Sequence, residues 1–339
     1  MGTAARRRRR IQWTRRAEGF VIVIIIVRVP RTRNRDFAYE VRVRVRSRQV
    51  TGMFMRMCVL GSGSSGNCTV VRVGERALMI DAGLGPRTAG KRLMGTGATV
   101  ADVGAMLLTH LDGDHFKSTW FPAIHRQSIK VYVHHRHIYA LYRTDEVEAR
   151  RLQRAGLLVE IGDEAFTVEA GGQTLGLVRP VHGPHDVEGV VSYRAATAGG
   201  QLMFATDLGR ADHDALIEAM TDVDLLAIES NYDPPMQLAS SRPPYLKRRI
   251  MGGRGHLSNE QAFEAVCRAL DRSKRLPSHI VLLHLSRQCN CPNVARALFE
   301  SHPRVAERLC ITNQSEPTPW LHVRRTGELL VGEQMTMFA

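Results

Sequence analysis

The 339-residue sequence is poor in cysteine, and its six cysteines (58, 68, 267, 289, 291 and 310) form no Cys-x-x-Cys pair and no regular framework. That excludes a disulfide-stapled secreted domain and a four-cysteine zinc module, and it leads us to expect a reducing, cytoplasmic compartment. Cys289-Asn290-Cys291 has a one-residue gap and no second pair, which makes it a poor metal motif. Long apolar runs are lacking as well. The run at 20–27 has eight residues, against the ~20 needed to span a bilayer, so no membrane association is expected. No small-residue cleavage site follows that run, which argues against a signal peptide. Net charge is scarce outside the N-terminus. Of the formal +14, residues 1–52 supply +12 through 15 arginines against three acidic residues. The other 287 residues carry 32 basic and 30 acidic side chains, so the overall basicity says little about the globular surface.

What the chain does contain is ligand-type residues at the ends of apolar strands. Hydrophobic residues make up 44% of it, enough for a sizeable core. Thr109-His110-Leu111-Asp112-Gly113-Asp114-His115 gathers four metal-capable side chains directly after the apolar run Ala105-Met106-Leu107-Leu108. Imidazoles and carboxylates this close repel and desolvate one another unless a cation gathers them. The same arrangement recurs at Leu78-Met79-Ile80-Asp81-Ala82-Gly83, at Phe204-Ala205-Thr206-Asp207 and at Leu282-Leu283-His284-Leu285-Ser286, while His185-Asp186 lies about 70 residues after the first cluster.

In this order and spacing the segments resemble the metallo-β-lactamase superfamily of hydrolases, whose usual motif reads His-x-His-x-Asp-His. Leu60-Gly61-Ser62-Gly63-Ser64-Ser65-Gly66-Asn67, Ile228-Glu229-Ser230-Asn231, Gly255-His256-Leu257-Ser258-Asn259 and His284-Leu285-Ser286 are similar to the YycJ/WalJ-like group. That group is associated with 5′-to-3′ exonuclease activity on double-stranded DNA. The resemblance covers roughly residues 53–315. It implies an α/β fold, a four-layer αββα sandwich of two mixed β-sheets flanked by helices, with the site at the edge between the sheets. It implies two divalent metal ions, zinc, manganese or iron, that activate water. One would be held by Asp114, His115, Asp207 and His284, the other by His110, Asp112, His185 and Asp207. Asp112 stands where the motif has its second histidine. Its extra negative charge makes a harder site and tilts preference from zinc toward manganese or iron. Asp114 and His256 are the expected catalytic residues, His256 stabilising or protonating the transferring phosphate. Asp81 is expected beside the metal loop. His182 rivals His185, but His185-Asp186 matches the group's His-Asp step. The dense His134, His135, His137 cluster is read as the surface of a helix start and left outside the site.

Gly61-x-Gly63-x-x-Gly66 matches a dinucleotide fingerprint, but Asn67-Cys68-Thr69-Val70-Val71-Arg72-Val73 follows as a strand pattern rather than a helix. NAD binding is therefore not expected. Ser62, Ser64, Ser65 and Asn67 are expected to meet a substrate phosphate, together with Arg254 from the basic stretch that also holds Lys247, Arg248 and Arg249.

The domain reading has three parts: 1–52 as a basic, disordered extension, 53–333 as the hydrolase domain, and 334–339 as a tail. Residues 41–46 alternate like a strand but have no partner in the family pattern. Met53, Met55 and Met57 are candidate starts of the native protein. Strands are expected over 54–60, 68–73, 77–81, 130–133, 175–180, 189–195, 201–205, 224–229 and 279–284, with β structure within 157–169. Helices are expected over 86–95, 116–127, 135–143 and 292–301, and after Ser258 as N-cap. The function expected is a metal-dependent phosphodiesterase or exonuclease with a nucleic-acid partner, DNA favoured. The alternatives are a hydrolase of a small ester, thioester or lactone, and a non-catalytic relative that binds nucleic acid through its arginine arm.

Overall fold

The computed structural model describes residues 54–323, together with the backbone of short strands within 12–47 and of Met335–Phe338. The expected domain boundaries at 52/53 and 333/334 lie outside the described residues. Within the stretch expected to be disordered, Phe20–Pro30 pairs antiparallel with Phe37–Ser47, and the alternating residues 41–46 fall in the second of these strands. β-branched residues on alternate positions favour such pairing.

Residues 53–324 form a unit of their own. Its first sheet contains β1 (Met55–Gly61), β2 (Cys68–Val73), β3 (Arg76–Ile80), β4 (Val103–Leu108), β5 (Lys130–His134) and β6 (Leu158–Ile161). The second contains β7 (Phe166–Ala170), β8 (Gln173–Gly183), β9 (Val190–Thr197), β10 (Gly200–Ala205), β11 (Leu225–Glu229), β12 (His279–Leu283) and β13 (Leu309–Ile311). A last strand, β14 (Leu321–His322), returns to pair with β1. Strand order is β6-β5-β4-β3-β2-β1-β14 in one sheet and β7 through β13 consecutively in the other. Both sheets are mixed: β3 to β6 run parallel in the first and β10 to β13 in the second.

The near-continuous apolar strands follow from burial on both faces. Leu78, Ile80, Ala105 and Leu107 point between the sheets, where they meet Tyr193, Phe204, Ala227, Val281 and Leu283. Their neighbours Met79, Met106 and Leu108 point the other way, under Trp120, Phe121 and Leu141 of the helical layer. The second sheet repeats the division: Met203, Leu226, Ile228, Ile280 and Leu282 face outward against Ile217, Val266 and Phe299. Four layers result, αββα, as the resemblance implied.

The expected helices form at α1 (Pro86–Leu93), α2 (Phe121–Gln127), α3 (His135–Thr144), α4 (Asn259–Arg272) and α5 (Pro292–Glu300). Ser258 caps α4 through a reciprocal capping box with Gln261. Among the helices not expected from the pattern are Glu146–Arg154, with Ala149 and Leu152 as its buried residues, and Pro244–Met251, which buries Ile250. One or two apolar anchors leave too faint a periodicity to read. Among the described residues no helix is long and apolar enough to cross a membrane.

A side-chain hydrogen bond crosses between the sheets next to the 109–115 loop. The fully buried Tyr193 hydroxyl donates to the carbonyl of Leu108, the last residue of β4, at 2.6 Å. Tyr193→Phe keeps the ring and strands that carbonyl, so it is expected to lower stability by about 1–3 kcal/mol. Urea unfolding checks this, and an unchanged midpoint would rule out the bond as a tie between sheets.

Candidate metal centre

The carboxyl ends of parallel strands from both sheets open on one edge, and the ligand-type residues stand there. Asp81 follows β3, His110 follows β4 by two residues, Asp207 follows β10 by two, Glu229 ends β11, and His284 follows β12. Asp81, Asp207 and His284 have φ of 58°, 53° and 57°. A left-handed backbone at a non-glycine residue costs about 1–3 kcal/mol and persists where surrounding structure enforces it. Here it turns each side chain off the end of its strand and into the space between the sheets.

Asp207 lies at the centre of the group. His115 Nε2 is 3.0 Å from its Oδ2, while His284 Nε2 and His256 Nδ1 are each 3.5 Å from its Oδ1, and His185 Nε2 is 4.0 Å from that same oxygen. Asp114 Oδ2 lies 3.5 Å from His284 Nε2 and 3.7 Å from His115 Nε2. Ligand atoms of His110, His185 and Asp207 fall within 4.8 Å of one another, and so do those of Asp114, His115 and His284. Asp112 keeps an exposed side chain at the rim, 3.9 Å from His110 Nε2, and forms a further group with His185 and Asp186.

A surrounding shell holds these groups in place. His115 Nδ1 meets Asp81 Oδ2 at 2.8 Å, and Asp81 also accepts from the Thr109 backbone N–H and hydroxyl. His284 Nδ1 meets the Asn231 amide at 2.9 Å, and His185 Nδ1 meets the Gly255 carbonyl at 2.9 Å. These contacts leave each Nε2 turned toward the centre. His256 Nδ1 lies 2.6 Å from Glu229 Oε1, and the other Glu229 oxygen accepts from Leu208 N–H at 2.6 Å. Gly83 is packed so tightly that a Cβ there would sit 1.7 Å from the Asp114 carbonyl. Only glycine lets the Asp81 segment and the metal loop lie this close.

Buried charge sets the electrostatics. Burial opposes ionisation of Asp207, yet His284 and His115 outweigh it and hold the carboxyl well below its usual range. Burial likewise opposes a charge on His115, but Asp207 and Asp81 prevail and hold it well above the usual imidazole value. His256 is carried up to about 9 against burial, by Glu229 and then Asp207. His110 goes the other way, held well below by burial and by the neighbouring His115. Asp207 and Asp81 thus favour the charged form of His115, and Glu229 and Asp207 that of His256, each opposite in sign to the buried carboxylates.

A cation fits the same place. Imidazole nitrogen and carboxylate oxygen suit zinc, manganese and iron. Separations of 3.0–4.0 Å between the donor atoms around Asp207 compare with about 3.3 Å for two ligands of one tetrahedral ion at ~2.0–2.1 Å. Asp112, Asp114 and Asp207 are the carboxylates of the expected donor set, and Glu229 joins Asp207, His256 and His284 in a further group within 4.8 Å.

The structure thus brings His110, Asp112, Asp114, His115, His185, Asp207, His256 and His284 to one edge. Two residues expected to meet substrate are instead buried in the shell. Ser62 Oγ accepts from His284 N–H at 2.8 Å, and the Asn67 amide lies 2.8 Å from His115 Nε2. Their loop folds back on His115 and His284, and Asn67 Oδ1 accepts from Gly63 N–H and ties it closed. Ser64 and Ser65 stay exposed. No helix follows Gly66, and β2 begins two residues later at Cys68. Arg254 is exposed and lines a surface cleft of about 760 Å³ with Arg210, Arg248, Arg249 and Asp186. Arg249 pairs with Asp186, and the Asp186 N–H donates to the Arg254 carbonyl, which joins the cleft to the His185 side of the centre. Glu229 was not anticipated as a site residue. Its signal was the same as that of the others, an acid ending an apolar strand. His182 lies elsewhere, beside His134 and Asp163. The surface reading of the 134–137 cluster does not hold for His134 and His137, which are buried.

With this geometry in place, comparison with known proteins narrows the reading. The sequence model of the family described as "Beta-lactamase superfamily domain" matches residues 76–280. The chain is similar to Exodeoxyribonuclease YycJ of Bacillus anthracis, 28% identical over 251 residues that cover 72% of this chain and 87% of the relative. It is also similar to Exodeoxyribonuclease WalJ of Streptococcus pneumoniae, 27% identical over 243 residues, 70% of this chain and 84% of the relative. The metallo-beta-lactamase fold protein YhfI of Bacillus subtilis superposes with a TM-score of 0.53 at 16% identity, over 79% of this chain and 99% of its own.

Removing the central carboxylate tests the site. Asp207→Ala is expected to lose most of the tightly bound divalent metal, counted by plasma mass spectrometry, while far-ultraviolet circular dichroism stays native. Metal content equal to wild type would show that Asp207 is not a ligand.

Proposed function

Because the chain belongs to the beta-lactamase superfamily, a family of hydrolases, we propose that it is a metal-dependent phosphodiesterase acting on DNA, an exonuclease. The observation that carries this reading is the junction of two features: the imidazole and carboxylate cluster around Asp207, and the arginine-lined cleft joined to its His185 side. The exodeoxyribonuclease names of the two relatives support DNA as substrate.

In this reading Asp114, His115, Asp207 and His284 hold one divalent cation, and His110, His185, Asp207 and Asp112 hold the other. The chemistry supplied by such ions is activation of water near neutral pH and neutralisation of charge on phosphate oxygens. The chain's own groups do the rest. Asp81, Asn231 and the Gly255 carbonyl fix the imidazoles of His115, His284 and His185, so nothing must reorganise as substrate arrives. Glu229 orients His256 beside Asp207, where the ring can give a proton to the leaving oxygen. Arg248 and Arg254 make no ion pair among the described residues, which leaves their guanidiniums for a phosphate backbone in the cleft. Asp112, exposed at the rim, makes the His110 side harder than two histidines would and favours manganese or iron there.

The same metal-loaded sample is to be offered labelled double-stranded DNA, single-stranded RNA and a thioester. Nucleotide release from DNA is expected, abolished by chelator and restored by added metal. His256→Ala is expected to lower kcat by about 10²–10⁴-fold, and Arg254→Ala to raise KM more than it lowers kcat. Turnover of the thioester without release from DNA would reject the phosphodiesterase reading.

A further inference from the structure

We propose that His134, Asp163 and His182 form a second metal site, apart from the Asp207 centre, that takes a divalent transition-metal cation such as zinc. His134 is the last residue of β5 in the first sheet, and His182 lies near the end of β8 in the second. Asp163 sits in the turn that carries the chain from β6 to β7, from one sheet to the other. Sequence positions far apart are therefore brought together where the two sheets meet.

The geometry points to a ligand. His134 is fully buried, and its Nε2 has no hydrogen-bond partner. That nitrogen lies 3.4 Å from Asp163 Oδ1, the spacing of two atoms that share an ion rather than a proton. His182 Nε2 lies 2.5 Å from the same oxygen, and the His134 and His182 rings meet edge to face with centroids 4.4 Å apart. All three ligand atoms fall within 4.8 Å of one another. A buried imidazole nitrogen left without a partner is destabilising, and a cation between the three atoms would satisfy it.

Donor chemistry selects the ion. Two imidazoles and one carboxylate are a zinc-type set, and the nitrogen donors disfavour calcium and magnesium, which take oxygen. One carboxylate leaves the site with a net charge of +1, and the exposed side of Asp163 admits water to the remaining position. Binding requires two local changes. The His182–Asp163 contact must open, and His134 Nδ1, now carrying the ring proton, must give up the 3.3 Å contact by which Arg136 N–H caps α3. The bound ion would then tie β5, the crossover turn and β8 together, three residues before His185.

The experiment does not depend on the nuclease reading or on the Asp207 centre. Full-length protein is stripped with chelator, loaded with zinc alone and desalted, and zinc per chain is counted for wild type, Asp163→Ala and His182→Ala. Both substituted side chains are partly exposed, so the fold should survive. Each variant is expected to hold about one zinc fewer than wild type. A zinc-edge anomalous map of wild-type crystals should place a peak about 2.0–2.2 Å from His134 Nε2, His182 Nε2 and a carboxylate oxygen of Asp163. Equal zinc in all three proteins, or a map with no peak there, overturns the proposal.

Discussion

Neutralising one buried carboxylate is the constraint on which the rest of the structure turns. Asp207 is 2% exposed and has four imidazoles within 4.0 Å of its oxygens. A carboxylate taken out of water is costly unless something of opposite charge shares its site. His115 and His256, whose charged forms the neighbouring carboxylates favour, are of that opposite sign. Asp81 backs His115 and Glu229 backs His256, while the Asn231 amide nitrogen fixes the position of His284.

The fold makes this arrangement possible by burying both faces of its central strands. With Leu107 turned into the sandwich and Leu108 under the helices, neither strand face has room for a polar side chain. Polar chemistry is driven to the strand ends, where the backbone leaves the sheet and hydrogen-bonding groups become free. There the left-handed conformations of Asp81, Asp207 and His284 redirect side chains that would otherwise continue the strand direction. The local strain is offset by the packing of two sheets, which fixes the ends of β4 and β10 to β12 relative to one another. The Tyr193 bond to Leu108 acts at that same junction.

Much of this was legible in the amino-acid order because the rule is local. An apolar run that stops on a histidine or aspartate marks a strand end and a ligand-type residue together, as at Leu283-His284 and Ala205-Thr206-Asp207. The strand pattern likewise showed two strand-rich halves that fit a sandwich, while the four-layer order came from the family resemblance. What was not legible depends on the direction a side chain faces. Ser62 and Asn67 are polar residues in a glycine-rich loop, and nothing in their order says that the loop folds back onto His284 and His115. Glu229 ends its strand as Asp207 nearly does, but its role appears only when β11 lies between β10 and β12. His134 and His137 look like a solvated helix start, yet the packing of α3 and the second sheet closes over them. In each case the deciding contact comes from residues distant in sequence.

The most direct test of the central claim, that the cluster around Asp207 is built to take a cation, is calorimetry of unfolding with and without metal. A ligand that binds the folded state alone stabilises it by about 2.7 kcal/mol at a hundredfold excess over its Kd. Chelator-treated protein at neutral pH should unfold several degrees below the same protein loaded with zinc or manganese, and Asp207→Ala should remove most of that difference. Identical transitions for stripped and loaded wild-type protein would contradict the account.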